Sequence, residues 1–340
     1  MKTILLYCTL PFLLISTLQA QDTASPQQGP PRFKHDPYDP MVHDPVLAKE
    51  GDTYYLFCTG IGVTCFSSKD LKKWEKLESC FAGVPASVTK AFPGARNHLW
   101  APDIIYHNGL WHLFYSSSAF AKNTSVIGHA TSPTLDPRSK DYTWTDCGVI
   151  VQSVPNRDHW NAIDSNVIFD ESGTPWMNFG SFWGGIKMMK LTPDLHAIAQ
   201  PEEWRTLSRR PRSFELDDTD PGDGAVEAPF IYKHGNWYYL FVSFDYCCRG
   251  KESTYKVVVG RSQNVEGPYF DKDGKSMALG GGSTVIEGDG VKWEAVGHCA
   301  AYTIDGQDIF VTHAYESETG HAKLIVRTMT WENEWPVVHL

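Results

Sequence analysis

The chain has no basic cluster. Its 30 lysines and arginines are scattered among 40 aspartates and glutamates, for a formal charge of −10. Nucleic acid requires gathered Lys and Arg to neutralise phosphates, and anionic membranes require the same, so both partners are excluded. Long apolar runs are equally scarce. Ile4 to Leu18 is the one such run, too short for a comfortable membrane span. With Lys2 before it and the small Ala20 after it, it reads as an export signal cleaved near Ala20, which makes the mature protein secreted, extracellular or periplasmic. No long stretch has the 3.6-residue period of a helix. Cysteine is sparse, and Cys8 lies inside the signal. The mature set is Cys58, Cys65, Cys80, Cys147, Cys247, Cys248 and Cys299, an odd number whose spacings do not resemble a zinc site. Its pairing stays open, including whether adjacent Cys247 and Cys248 are a disulfide or two thiols.

What is abundant is aromatic and β-branched residues. Apolar residues make up 42% and aromatics 13% of the chain, which suits β-structure and the packing of sugar C–H faces on rings. Residues 21–41 read as a flexible leader, rich in Pro, Gln and Ser at its start. After it, a unit recurs: a short polar motif, a few apolar residues, a glycine turn, then an aromatic strand. His43-Asp44-Pro45 leads through Gly51-Asp52 to Tyr54-Tyr55-Leu56-Phe57, and Ala101-Pro102-Asp103 through Asn108-Gly109 to Trp111-His112-Leu113-Phe114. Ile163-Asp164-Ser165, Glu227-Ala228-Pro229 and Gly297-His298-Cys299 open three further copies. Their leading residues, Asp44, Asp103, Asp164, Glu227 and His298, are 59, 61, 63 and 71 positions apart. Five copies of about 60 residues, each with several short strands, predict an all-β, five-bladed propeller of four-stranded blades spanning 42–340. A pair of β-sandwiches is the alternative, but it gives no reason for a polar residue before the hairpin five times.

In a propeller the leading residues gather at the axis, so Asp44, Asp164 and Glu227 are expected to share one cavity. Buried carboxylates are costly unless paired or hydrogen-bonded. Two acids facing a common space are what glycoside hydrolysis needs, one donating a proton to the leaving oxygen and one activating water.

The runs Val42-His43-Asp44-Pro45, Leu99-Trp100-Ala101-Pro102-Asp103, Trp160-Asn161-Ala162-Ile163-Asp164, Val226-Glu227-Ala228-Pro229-Phe230 and Ser243-Phe244-Asp245-Tyr246-Cys247-Cys248-Arg249-Gly250 resemble glycoside hydrolase family 43. Within it they are most similar to the endo-1,5-α-L-arabinanases. The resemblance implies an inverting hydrolase, with Asp44 as general base, Glu227 as general acid and Asp164 as the acid that orients Glu227 and tunes its pKa. His35-Asp36-Pro37 repeats the first motif but lacks the blade that follows Asp44, so Asp36 is assigned to the leader. Gly297-His298 resembles the family element whose His faces a metal ion, often calcium, in the channel; a core histidine is the other reading. Trp100 and Phe120 match family aromatics that meet substrate. Asn166, Ser181, Phe182, Trp183 and Arg249 are expected as further sugar contacts, with packing as the alternative for the blade residues. The expected partner is arabinan or an arabino-oligosaccharide, bound by a monomer and cut internally. Exo-acting α-L-arabinofuranosidase or β-xylosidase action is the alternative within the family, and a non-catalytic glycan-binding propeller is the alternative outside it. The chain ends at Leu340 just after the fifth blade, which agrees with an open groove. Asn123-Thr124-Ser125 is the one glycosylation sequon.

Overall fold

Each aromatic run becomes the second strand of an antiparallel blade because the turn before it can reverse the chain tightly. Asn108 and Gly109 have φ of 49° and 83°, and Asp305 and Gly306 have 53° and 75°. Two successive left-handed residues make the turn whose twist matches paired strands. The computed structural model describes residues 35–340; the predicted export signal and most of the predicted leader lie outside them.

The first blade is β1 (Val46–Glu50), β2 (Thr53–Cys58), β4 (Thr64–Ser68) and β5 (Glu75–Lys76). The two-residue β3 (Gly60–Ile61) leaves this blade and pairs with the next, formed by β6 (His98–His107), β7 (Leu110–Ser118), β8 (Ser125–Ser132) and β9 (Thr145–Ser153). The third blade is β10 (Asn166–Phe169), β11 (Pro175–Phe179), β12 (Ile186–Lys190) and β13 (Trp204–Ser208). The fourth is β14 (Val226–His234), β15 (Trp237–Phe244), β16 (Lys256–Ser262) and β17 (Ser283–Ile286). The fifth holds β18 (Trp293–Ile304), β19 (Gln307–Glu316) and β20 (Ala322–Thr328), followed by the hairpin of β21 (Thr330–Glu332) and β22 (Trp335–Val337). One short helix, α1 (Ala86–Ala91), packs beside β9 among the described residues.

The fifth blade differs from the four-stranded expectation, and the difference closes the ring. Its outer edge, β20, is covered by the chain's own beginning. Met41 bridges Lys323, Val42 N–H donates to Ala322 O (3.1 Å), and Leu324 N–H donates to Pro40 O (3.2 Å). Residues 35–41, placed in the leader by composition, are therefore tied to the propeller; Trp74 N–H also donates to Pro37 O at 2.7 Å. Pairing this edge removes an open strand that would invite aggregation.

Blades pack face to face, so their strands lose the in–out alternation of a solvated sheet. β8 is buried along its whole length, and β15 at every residue but Trp237. Phe241 of the fourth blade and Phe310 of the fifth meet with ring centroids 5.9 Å apart, both fully buried. Burying a side chain of that size contributes about 1.5–3 kcal/mol. The Asn123 side chain is also fully buried, its amide donating to Asp158 O at 2.8 Å, so the sequon is closed to glycan in the folded protein.

Candidate active site

The start of every inner strand has the same backbone irregularity. Asp44, Ala101, Asp164, Ala228 and His298 all take left-handed conformations, with φ of 56°, 41°, 60°, 54° and 52°. For a residue other than glycine each costs of order 1–3 kcal/mol and persists only where its surroundings hold it. Here the hold is visible. Each of the five N–H groups, turned out of the ladder, donates to a side chain of the preceding blade. Asp44 N–H meets His313 Nδ1 (3.1 Å), Ala101 N–H meets Thr59 Oγ1 (2.8 Å), and Asp164 N–H meets Ser116 Oγ (3.1 Å). Ala228 N–H meets Asp164 Oδ2 (3.2 Å), and His298 N–H meets Ser243 Oγ (2.8 Å). This five-fold ring joins each blade to the next and tips the leading side chains toward the axis. β-bulges beside Trp100, Glu227 and Gly297 absorb the irregularity.

The ring corrects the repeat register read from sequence. Ala101, not Asp103, is the counterpart of Asp44, Asp164 and His298, and Glu227 precedes its blade's left-handed residue by one. Asp103 lies beyond the bulge, where its carboxylate accepts from Val167 N–H at 2.7 Å. Burial pushes its pKa up to about 7, despite the opposing hydrogen bonds from Val167, Ile104 and Asn166. It joins blades two and three, a structural role.

Asp44 is buried, and its surroundings keep it ionised. Burial alone would raise the carboxyl, but His43 and His298, with Nδ1 atoms 2.8 and 3.0 Å from Oδ1, hold it well below the usual carboxylate range. Oδ2 accepts from the Thr59 hydroxyl, which itself accepts from Ala101 N–H. His43 is in turn held by Tyr315 Oη at 2.6 Å and stacks on His313, centroids 3.9 Å apart.

Glu227 and Asp164 behave in the opposite sense. Burial raises Glu227, against the hydrogen bonds of Ser181 (to Oε2, 2.7 Å) and Tyr255 (to Oε1, 2.8 Å). Burial raises Asp164 well above its ordinary value, opposed by the charge of His298 and reinforced by those of Glu227 and Asp44. Two carboxyls that repel one another titrate as a pair, so this pair retains a proton where Asp44 has none. Carboxyls shifted in opposite directions, one held low and the others high, suit the division of labour required for cleaving a glycosidic bond.

The other expected sugar contacts divide. Asn166 is withdrawn: its Oδ1 accepts from Ile231 N–H (3.0 Å) and Asn178 Nδ2 (3.0 Å), so its amide joins blades rather than facing a cavity. Trp183 is likewise structural, 3% exposed with Nε1 donating to Asp218 O at 2.8 Å. Ser181 acts on Glu227. The end of a second strand and the start of the first share one rim of an antiparallel blade. Trp100, the 74% exposed Phe120 after β7, Phe182 after β11 and Arg249 after β15 therefore stand on the rim that carries the acids. Arg249 lies over the Tyr246 ring (3.9 Å), and Tyr246 in turn faces Phe182 (5.9 Å). Cys247 and Cys248 stand side by side, sulfurs 2.7 Å apart, with Cys248 Sγ 3.7 Å from His43 Nε2.

Residues 39–336 match the model of glycosyl hydrolases family 43. The chain belongs to that family. It is 50% identical over 299 residues to the extracellular exo-α-(1→5)-L-arabinofuranosidase of Cellvibrio japonicus, covering 87% of this chain and 86% of that one. It is 37% identical over 301 residues to an extracellular endo-α-(1→5)-L-arabinanase of Bacillus subtilis, covering 87% of each. Among solved structures, the α-L-arabinanase of Cellvibrio cellulosa complexed with arabinohexaose superposes with a TM-score of 0.86 at 48% identity, covering 88% of this chain and 96% of the other. In this family member, His43, His313, Tyr255 and Thr59 were missed by motif reading. A signal for part of the set exists: the aromatic strand ends in a polar residue in every copy, at Thr59, Ser116, Ser181, Ser243 and His313.

Gly297 shows how tightly the acid is placed. A Cβ there would come within 1.9 Å of the Tyr255 ring, displacing the hydroxyl from Glu227. Tyr255→Phe tests that contact without moving the backbone. The hydrogen bond favours the ionised carboxyl, so its loss raises Glu227 further. The alkaline limb of kcat/KM is expected to move to higher pH, with a fall in kcat; an unmoved limb would show that Tyr255 does not tune the acid.

Proposed function

We propose that this protein is a secreted, inverting hydrolase of α-1,5-linked L-arabinan that works from chain ends. The observation that carries the hydrolytic reading is the opposed pair of environments, Asp44 held low between two histidines and the Glu227–Asp164 pair held high by burial. Asp44 draws a proton from water as it attacks the anomeric carbon. Glu227 gives its proton to the departing oxygen, and Asp164 orients Glu227 through the Ala228 backbone. Arabinan as substrate, and export, are supported by the activities and extracellular location of the relatives.

For exo-action in place of internal cutting, two things speak. The relative named exo-acting is 50% identical, against 37% for the one named endo-acting. Residues 209–225, between β13 and β14, are tied to Trp183 and Asp245, with Trp183 N–H on Pro221 O (3.3 Å) and Arg210 on Asp245 (2.6 Å). A segment tied to that rim could close one end of the cleft, as end-cutting requires. On debranched arabinan the expected result is one short product from the first minutes with a slow fall in viscosity, and the β-anomer in proton NMR. A rapid viscosity fall with mixed products would return the enzyme to the endo class, and an α-anomer would end the inverting mechanism.

A cation such as calcium belongs to the same reading. Asp44 engages Nδ1 of His298, so Nε2 is the atom that would face an ion otherwise held by water, and such an ion would take the place of the proton that the negative field of Asp44 and Asp164 favours on His298. Bound there, the ion would supply fixed positive charge near the acids.

A further inference from the structure

Away from the acids, blades two and three bring three soft donors together that no sequence spacing reveals. His129 of β8, Cys147 of β9 and His196 of the connection between β12 and β13 each offer one ligand atom, and all three atoms lie within 4.8 Å of one another. Tetrahedral zinc with nitrogen and sulfur ligands needs donors about 3.3–3.8 Å apart, from its bond lengths. The exposed His196 can turn through the remaining distance.

A relay of buried histidines fixes the tautomer that a metal requires. His112 Nε2 faces the carbonyl of His107 at 3.3 Å and so carries the proton. His112 Nδ1 is then an acceptor, and it meets His129 Nε2 at 2.9 Å, which must donate. His129 Nδ1 is left with a bare lone pair. It belongs to a fully buried residue and has no hydrogen-bond partner. An unpartnered buried acceptor is costly, and a ligating histidine whose other N–H is held by a neighbour is the usual arrangement around bound metal. Asp194 and Asp146 add negative charge toward His129. The 192–197 turn is held by its own bonds, Thr192 N–H to Ala197 O at 2.7 Å and His196 N–H to Asp194 Oδ1 at 3.2 Å.

We propose that His129, Cys147 and His196 form a zinc-class metal site, with water in the fourth position, that clasps the outer strands of blade two to the β12–β13 turn of blade three. The donor set, two imidazoles and one thiolate, selects Zn2+ over calcium or magnesium. The full mature protein, stripped with EDTA, dialysed and kept reduced by a phosphine, is titrated with Co2+ and then displaced with Zn2+. The expected result is a thiolate-to-cobalt charge-transfer band with tetrahedral d–d absorption, bleached by Zn2+, and a melting temperature that rises with Zn2+. Cys147→Ser removes the band. His196→Ala, at an exposed position that leaves folding intact, weakens cobalt binding at least ~100-fold. The double variant Cys247→Ser/Cys248→Ser keeps the band, which separates this site from the thiols beside His43. Absence of the band in the unaltered protein, its persistence in Cys147→Ser, undiminished binding in His196→Ala, or its loss in the Cys247/Cys248 double variant would each overturn the assignment.

Discussion

Asp44→Asn is expected to lower kcat on arabinan by at least ~100-fold while leaving the fold in place, since a positioned general base is worth about 10²–10⁴ in rate. The asparagine is nearly the same shape and still accepts from Thr59, but it cannot take a proton from water. The loss should therefore appear in kcat with little change in KM. The circular dichroism spectrum should be unchanged, because the five-blade ring is held at this point by the Asp44 backbone N–H on His313, not by the carboxylate. Retention of near-normal turnover by a folded variant would remove Asp44 from the base role. Loss of fold together with activity would instead show that the carboxylate is needed for blade closure, and Asp44→Ala, which also removes the acceptor, would then fold no better.

Glu227→Gln gives the second large effect, and its signature depends on the leaving group. On arabinan, whose departing sugar oxygen must be protonated, a loss of at least ~100-fold is expected. On an aryl arabino-oligosaccharide with a nitrophenolate leaving group, the loss should be far smaller, because that oxygen departs without a proton. Equal losses on both substrates would exclude proton donation as the role of Glu227. Asp164→Asn is the informative companion. Asp164 touches the Ala228 N–H, beside Glu227, at 3.2 Å, and repulsion between the two carboxyls favours a proton on the pair, so its removal should move the alkaline limb of the pH profile to lower pH as well as lower the rate. The contrast between a leaving-group effect at Glu227 and a pH effect at Asp164 separates donor from tuner.

Much of this was legible in the residues. The period of about 60, the turn pairs Asn108-Gly109 and Asp305-Gly306 and the aromatic strands dictate an all-β repeat by local preference alone, because turn conformation and strand pattern are short-range properties. The three acids were legible because each opens a copy of the repeat, and position within a repeat becomes position around an axis. The assignment of Asp103 as an equivalent failed because sequence shows a polar residue near a strand start, not which backbone N–H leaves the ladder. The left-handed residue and its bulge put Ala101 at that place and Asp103 two residues on. Asn166 and Trp183 failed for a related reason: polar and aromatic side chains near a rim are equally suited to sugar and to the neighbouring blade, and only the partner across the blade interface distinguishes them.

The sequence by itself determined that this is a repeated all-β fold with acids at the head of its copies, since repeat length, turn chemistry and residue order are carried by the chain locally. Only the tertiary structure decided that Asp44 is held below the usual carboxylate range and Asp164 and Glu227 above it, that residues 40–42 complete the fifth blade, and that His129, Cys147 and His196 meet. Protonation depends on burial and on charges brought in from other blades. Long-range pairing, likewise, comes into being only when the ring closes.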